Sequence, residues 1–270
     1  GFTRMPVWIG NLIASGYRIE AQARSSLGMR IVAALGLNPP YREKTQAGLS
    51  IFDAEGETLF EARYPERICP RFEFLSPLVI DTLLFIENRE LLDIRYAHRN
   101  PAVEWDRLAK AVLDRMIHIF DPDHPFAGGS TLPTQIEKFR HSPDGRTTGA
   151  IEKLKQMASA SLKAYRQGPD TQAFRRQTVV DYLNSVPFAA VPGYGEVHGI
   201  ADALWVVYGV DFNDINTLLL SARTHPGAAN ALAYKQILSL FIAQRRPSHY
   251  LAGHRDALEA DTNAHLRLLC

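Results

Sequence analysis

Gly128-Gly129-Ser130-Thr131-Leu132-Pro133-Thr134-Gln135-Ile136-Glu137-Lys138 is a glycine turn that runs straight into a helix start. Gly128 and Gly129 let the backbone approach a ligand closely, Ser130 or Thr131 can cap the helix, and Pro133 fits its first turn. A helix N-terminus with hydroxyls beside it attracts anions, and Lys138 adds a positive charge one to two turns further on. The spacing G-x-x-x-x-G-K is absent, so the stretch is not a nucleotide-binding P-loop. On these residues alone, an ordinary capped helix is the competing reading.

Working outward, helical periodicity dominates from Ser76 onward. Leu78, Ile80, Leu83, Leu84 and Ile86 feed a helix that carries Glu87, and Val103, Leu108, Val112, Met116 and Ile117 mark the next. Ile151, Leu154, Met157, Leu162 and Tyr165 describe a third, and Val179, Tyr182 and Leu183 lie on a fourth. Stretches 200–208, 215–222 and 228–245 complete the set. Before Ser76, residues 5–36 read as helical and stop at Gly36 and Pro39-Pro40, since proline ends a helix. Leu49 to Tyr64 holds two short apolar runs around Asp53-Ala54-Glu55-Gly56, a hairpin signal. The predicted fold is mainly α with a small β-hairpin, divided into an N-terminal helical segment and linker over 1–45 and a main domain over 46–270. Irregular stretches 121–131 and 185–196 are the loops where binding chemistry is expected.

Composition narrows the classes. With 46% hydrophobic and 22% charged residues in 270, the chain is an ordinary folded protein. A net charge of +1 gives no case for a nucleic-acid partner. The two cysteines, Cys69 and Cys270, stand far apart, and neither C-x-x-C nor H-E-x-x-H is present, so no metal site is expected from motifs. No stretch approaches the ~20 apolar residues of a membrane span. Met5 to Ile13 is apolar, contains Trp8 and is followed by Arg18, Arg24 and Arg30. It reads either as a segment resting on a lipid surface or as a helix packed on the domain.

The glycine-turn stretch resembles the G-G-S-T-I-T-Q-Q-L-x-K motif of the family 51 peptidoglycan glycosyltransferases, the transglycosylase domain of penicillin-binding proteins. Gly128, Gly129, Ser130, Thr131, Gln135 and Lys138 match it. Other landmarks follow in family order. Glu87 to Leu91 resembles E-D-x-x-F, and Arg146-Thr147-Thr148 with Glu152 to Gln156 resembles the R-T-L and R-K-x-K-E portions of the third motif. Val179 to Asn184 resembles I-L-x-x-Y-L-N, and Gly199 to Ala203 with Tyr208-Gly209 resembles G-V-E-A-A and Y-F-G. The similarity runs over about residues 48–225 and implies a lysozyme-like glycosyltransferase fold.

The resemblance also implies a reaction: polymerisation of glycan strands from an undecaprenyl-diphosphate-linked saccharide, lipid II or a relative. It would run on the outer, periplasmic face of the cytoplasmic membrane, with the domain anchored by a segment absent from this chain. Carried over by position, Glu87 is the general base for the acceptor 4-hydroxyl. Lys138, Arg146, Lys153 and Lys155 neutralise the diphosphate, and Asn88, Ser130, Thr131, Gln135 and Asn184 contact substrate. The resemblance settles no cofactor and leaves open a divalent cation, Mg or Mn, bridging the diphosphate. The expected partners are the lipid-linked saccharide, the growing glycan strand, the membrane surface and other cell-wall synthesis proteins. Several motif positions depart from the family: Asn88 stands for aspartate, Leu91 for phenylalanine, Glu152 for arginine, and Gln156 for the second glutamate. Glu152 lies one helical turn before Gln156 on the same face, so both are candidate catalytic positions. A catalytically silent relative that binds glycan or lipid carrier, and a lytic transglycosylase using Glu87 as an acid, are the alternative readings. The S-x-x-K motif of a transpeptidase is absent from this chain.

Overall fold

The computed structural model of the protein describes residues 5–19, 25–104, 130–142 and 145–269. The chain divides into two compact units, residues 1–36 and 37–270. Of the expected features, most of the helix from Val103 to Ile117, the loop from Asp121, and Gly128 and Gly129 lie outside the described residues.

In the first unit the single helix expected from the sequence is two: α1 (Met5–Ala14) and α2 (Leu27–Ala34). The break follows from Gly16, which takes a φ of 88° while the Tyr17 N–H closes back on the Leu12 carbonyl at 3.0 Å. The helix restarts at Ser26, whose hydroxyl accepts the Met29 N–H at 3.2 Å. Val7, Trp8, Leu12 and Ile13 are all exposed on α1.

The second unit is mainly α with one antiparallel hairpin, β1 (Ala47–Phe52) and β2 (Thr58–Tyr64), in keeping with a lysozyme-like fold. Its turn forms because Asp53 Oδ1 accepts the N–H groups of Glu55 (3.1 Å) and Glu57 (2.7 Å), with Gly56 in the left-handed region. Then come α3 (Pro77–Glu87), α4 (Leu132–His141), α5 (Ala150–Ala164), α6 (Gln172–Ser185), α7 (Ile200–Tyr208), α8 (Phe212–Ser221) and α9 (Ala228–Ala243). Two further helices, α10 (Pro247–Ala252) and α11 (Arg255–Leu269), lie beyond the part that periodicity assigned.

The core gathers α3, α6, α7, α8 and α9 around Leu83, Val179, Leu183, Leu204, Ile215 and Phe241. From Ile237 to Ala243, α9 is buried on every side. Ile237, Leu240 and Phe241 face this cluster, while Leu238 and Ile242 face Leu258 of α11. A helix apolar all round belongs in the interior.

Between β2 and α3, main-chain groups of residues 66–76 are held by one buried side chain from each of three helices. Asp202 of α7 accepts the N–H groups of Glu66 and Arg67, both at 2.9 Å. Asn184 of α6 accepts the Cys69 N–H at 2.7 Å and donates to the Cys69 carbonyl at 2.8 Å. Asn216 of α8 does the same for the Ser76 N–H and the Phe74 carbonyl, both at 2.7 Å. Buried main-chain groups need such partners. Asn184→Ala strands two of them and is expected to lower unfolding free energy by ~2–4 kcal/mol, measured by urea denaturation.

Helix α5 forms where the apolar spacing placed it, but Ile151, Leu154 and Leu162 are exposed, and the buried face carries Gln156, Ser159, Ala160 and Ala164. Small residues there suit close packing, which leaves the large apolar side chains as an outward stripe.

Candidate active site

Glu87 is the last residue of α3, and side chains from α4 and from the end of α9 meet its carboxylate. Gln135 of α4 donates its amide N–H to Oε2 at 3.0 Å, and Gln244, the residue that caps α9, donates to Oε1 at 3.1 Å. Arg245 Nε lies 3.8 Å from Oε1. Behind the two amides, the fully buried Tyr182 phenol of α6 stands 3.4 Å from the Gln135 side-chain carbonyl and 3.2 Å from that of Gln244. Burial, and next the negative charge of Glu87, raise this phenol well above its ordinary range, so it keeps its proton. Among these contacts the sequence reading named Glu87 and Gln135; Tyr182 appeared there only as a helix and motif position, and Gln244 lies beyond the motifs.

Asn88, buried, follows at the end of α3. Its side-chain carbonyl accepts the Leu132 N–H at 3.4 Å, and its amide contacts Glu104. Thr131 donates its N–H to Thr134 Oγ1 at 3.0 Å and its hydroxyl to the Ala102 carbonyl at 3.1 Å. The start of α4 is therefore capped by the protein's own side chains. Positive charge near it comes from lysines.

Lys153 of α5 donates to Ser130 Oγ at 2.6 Å. Burial, with the charge of Lys138 as second cause, pushes its ammonium down to about 8. Burial also lowers Lys138, against the opposing pull of Glu87. Lys153, beside the Ser130 hydroxyl and repelled by Lys138, forms a site that an anion would stabilise. An anion bound there raises Lys153 again, so at about pH 8.5 binding takes up a proton. Calorimetric titration with inorganic diphosphate in buffers of different ionisation enthalpy is expected to register that uptake, and Lys153→Met to lose it.

The remaining sequence candidates stand elsewhere. Gln156 is buried, donating to Ser142 Oγ (2.8 Å) and Thr147 Oγ1 (3.0 Å) and accepting from Thr147 at 3.2 Å, a neutral pocket closed by hydroxyls. Glu152 accepts both the N–H and the hydroxyl of Thr148 at 2.6 Å on the first turn of its own helix. Hydrogen bonds from Ser142 and Thr148 hold its carboxyl down to about 2. Asn184 spends its amide on Cys69, as described, and Arg146 and Lys155 are exposed. The structure thus groups Glu87, Gln135, Lys138, Lys153 and Ser130, with Asn88 and Thr131 supporting the helix start.

A cavity of about 780 Å³ opens from Glu87 and Asn88 toward Tyr96, Arg99, Glu104 and Tyr165. Its wall, the chain after Glu87, hangs on Arg175 of α6. That buried guanidinium donates to the carbonyls of Leu91, Tyr96 and Arg99, each at 2.7 Å, and to Thr171 Oγ1 at 2.8 Å. On another face of α4, buried Glu137 accepts from Asn38 at 2.8 Å and pairs with Lys163 at 2.7 Å. Lys163 also bonds Glu43 at 2.6 Å, and His141 lies 3.0 Å from the same carboxylate. Burial works to raise Glu43, but the hydrogen bonds from His141 and Lys163 outweigh it and hold the group at about 2. These contacts fix the helix that presents Gln135 and Lys138. Among the described residues no group of three or more His, Cys, Asp or Glu side chains is arranged to hold a metal ion.

No curated protein matches the chain. The transglycosylase family matches residues 55–269, which takes in the whole constellation around Glu87. With well over half of its length covered, the chain belongs to the transglycosylase family.

Proposed function

We propose that the protein is a peptidoglycan glycosyltransferase that moves a glycosyl unit from a polyprenyl-diphosphate-linked saccharide, lipid II or a relative, to an acceptor sugar hydroxyl. The observation that carries this reading is the pairing of a carboxylate held by two amide donors with a Lys138–Lys153–Ser130 anion site on the neighbouring helices. A sugar hydroxyl is a poor nucleophile until a positioned base takes its proton, and Glu87 supplies that base. A diphosphate leaves more readily when fixed cations meet its developing charge, and Lys138 and Lys153 supply those. The Lys138, Lys153 and Ser130 group favours a transferase over a lytic enzyme, whose reaction has no diphosphate for cations to meet.

Gln156 favours a second reading, a silent relative that binds the lipid carrier or glycan. An amide closed in by Ser142 and Thr147 carries no charge and takes no proton. Polymerisation of lipid II by the protein in lipid vesicles separates the two. Glycan strands support the transferase; carrier binding without product, in wild type, supports the silent relative; soluble muropeptides from purified peptidoglycan support the lytic enzyme.

Such a substrate places the domain at the outer face of the cytoplasmic membrane. Two separate apolar surfaces support that placement: exposed Val7, Trp8, Leu12 and Ile13 on α1, and the Ile151, Leu154 and Leu162 stripe on α5. No helix among the described residues is long and apolar enough to cross a membrane, so these surfaces suit lying on one. Flotation with anionic vesicles is expected to carry the protein, and Trp8→Glu with Leu154→Glu to release it.

A further inference from the structure

We infer that Tyr182 and Gln244 are positioning residues for Glu87, acting as a two-armed clamp that fixes which way both glutamine amides face. The inference rests on the transferase reading for its consequence in catalysis, while the clamp itself rests on geometry.

A glutamine side chain can sit either way round, with its N–H₂ or its carbonyl toward a neighbour. Toward a carboxylate, the first is attractive and the second repulsive. Tyr182 has one hydroxyl proton, and the side-chain atoms within its reach are the carbonyl oxygens of Gln135 at 3.4 Å and Gln244 at 3.2 Å. Sharing that proton requires both carbonyls to face the phenol. Both N–H₂ groups then face Glu87, one on each carboxylate oxygen, at 3.0 and 3.1 Å. Each arm comes from a different helix, so the carboxylate plane is fixed from two sides. The raised phenol keeps the device in one protonation state across the working pH range.

The consequence is orientation of the base. A carboxylate held in plane keeps its lone pairs aimed at one place, and misplacing a reacting group by about 1 Å costs up to roughly 10²-fold in rate. Tyr182→Phe keeps the ring and its packing against Phe139 but removes the shared proton. Gln244→Leu removes one arm from the capping residue of α9, where a leucine fits the backbone.

Two readouts test the clamp. In turnover on a lipid-linked disaccharide, each variant is expected to lower kcat by about 10- to 100-fold with KM within about threefold. The double variant should lose less than the product of the single losses, because both act through one unit. Independently, NMR of the glutamine side-chain amides is expected to show the Gln135 and Gln244 resonances both moving in Tyr182→Phe. Unmoved amide resonances in a folded Tyr182→Phe protein, or unchanged kcat in both folded variants of an active wild type, would overturn the clamp. If Tyr182→Phe fails to fold, Gln244→Leu decides by the same readouts, through the Gln135 resonance and kcat. If the amides move but wild type has no turnover, the clamp stands and the transferase reading falls.

Discussion

Glu87→Gln is expected to lower turnover by about 10²- to 10⁴-fold, the range that loss of a general base costs. The substitution keeps size and removes charge, so the fold persists and the loss reports chemistry. It also turns one of the two new amide atoms into a donor facing Gln135 or Gln244, which already present N–H groups there. One of those amides must therefore turn, and Tyr182 resists the turn. A second signature accompanies the first. Glu87 is the charge that holds Lys138 up against burial, so Lys138 should titrate at lower pH in the variant than in wild type. Polymerisation assays at saturating substrate and NMR of the lysine ammonium measure the two effects. Unchanged turnover would remove Glu87 from the chemistry altogether.

Arg175→Met is expected to cost about 3–5 kcal/mol of stability, since it strands several polar groups around a buried site. Methionine matches the aliphatic stem but leaves the carbonyls of Leu91, Tyr96 and Arg99 without their donor. Those carbonyls belong to the chain that leaves Glu87 and lines the cavity. Urea denaturation is expected to show a lower midpoint with a similar slope. Any variant protein that remains folded should lose turnover as well, because the wall loosens while the base stays in place.

The helical class and the hairpin were legible because apolar spacing and the Asp53-Ala54-Glu55-Gly56 turn are local signals. Periodicity located α5 but left its packing open, since it reports that a helix has an apolar face and not where that face points. Ile151, Leu154 and Leu162 mark a face as clearly when it looks outward. The break at Gly16 was visible as a glycine, yet a lone glycine does not by itself separate a tolerated position from a stop. At the site, Glu87, Gln135, Lys138 and Lys153 were legible through motif spacing. Gln244 was not, because it meets Glu87 across 157 residues and no local pattern marks it. Arg175 escaped for a related reason: its partners are main-chain carbonyls, which every sequence supplies. Asn184 and Gln135 looked alike as polar motif positions, and only the tertiary structure shows one amide turned to Cys69 and the other to Glu87.

The side chains that hold residues 66–76 also set an order of assembly. Asn184 meets Cys69 across 115 residues, Asp202 meets Glu66 across 136, and Asn216 meets Ser76 across 140. A chain made from its N-terminus exposes this segment long before its three partners exist, so α3 and the hairpin wait for α6, α7 and α8. Loop closure over such separations is slow, and unpaired strand and apolar surfaces stay open meanwhile. Fragments ending before Asn184 lack all three partners and should leave residues 66–76 unheld. Pulse-labelled hydrogen exchange should find the Cys69 and Ser76 amides among the last to gain protection.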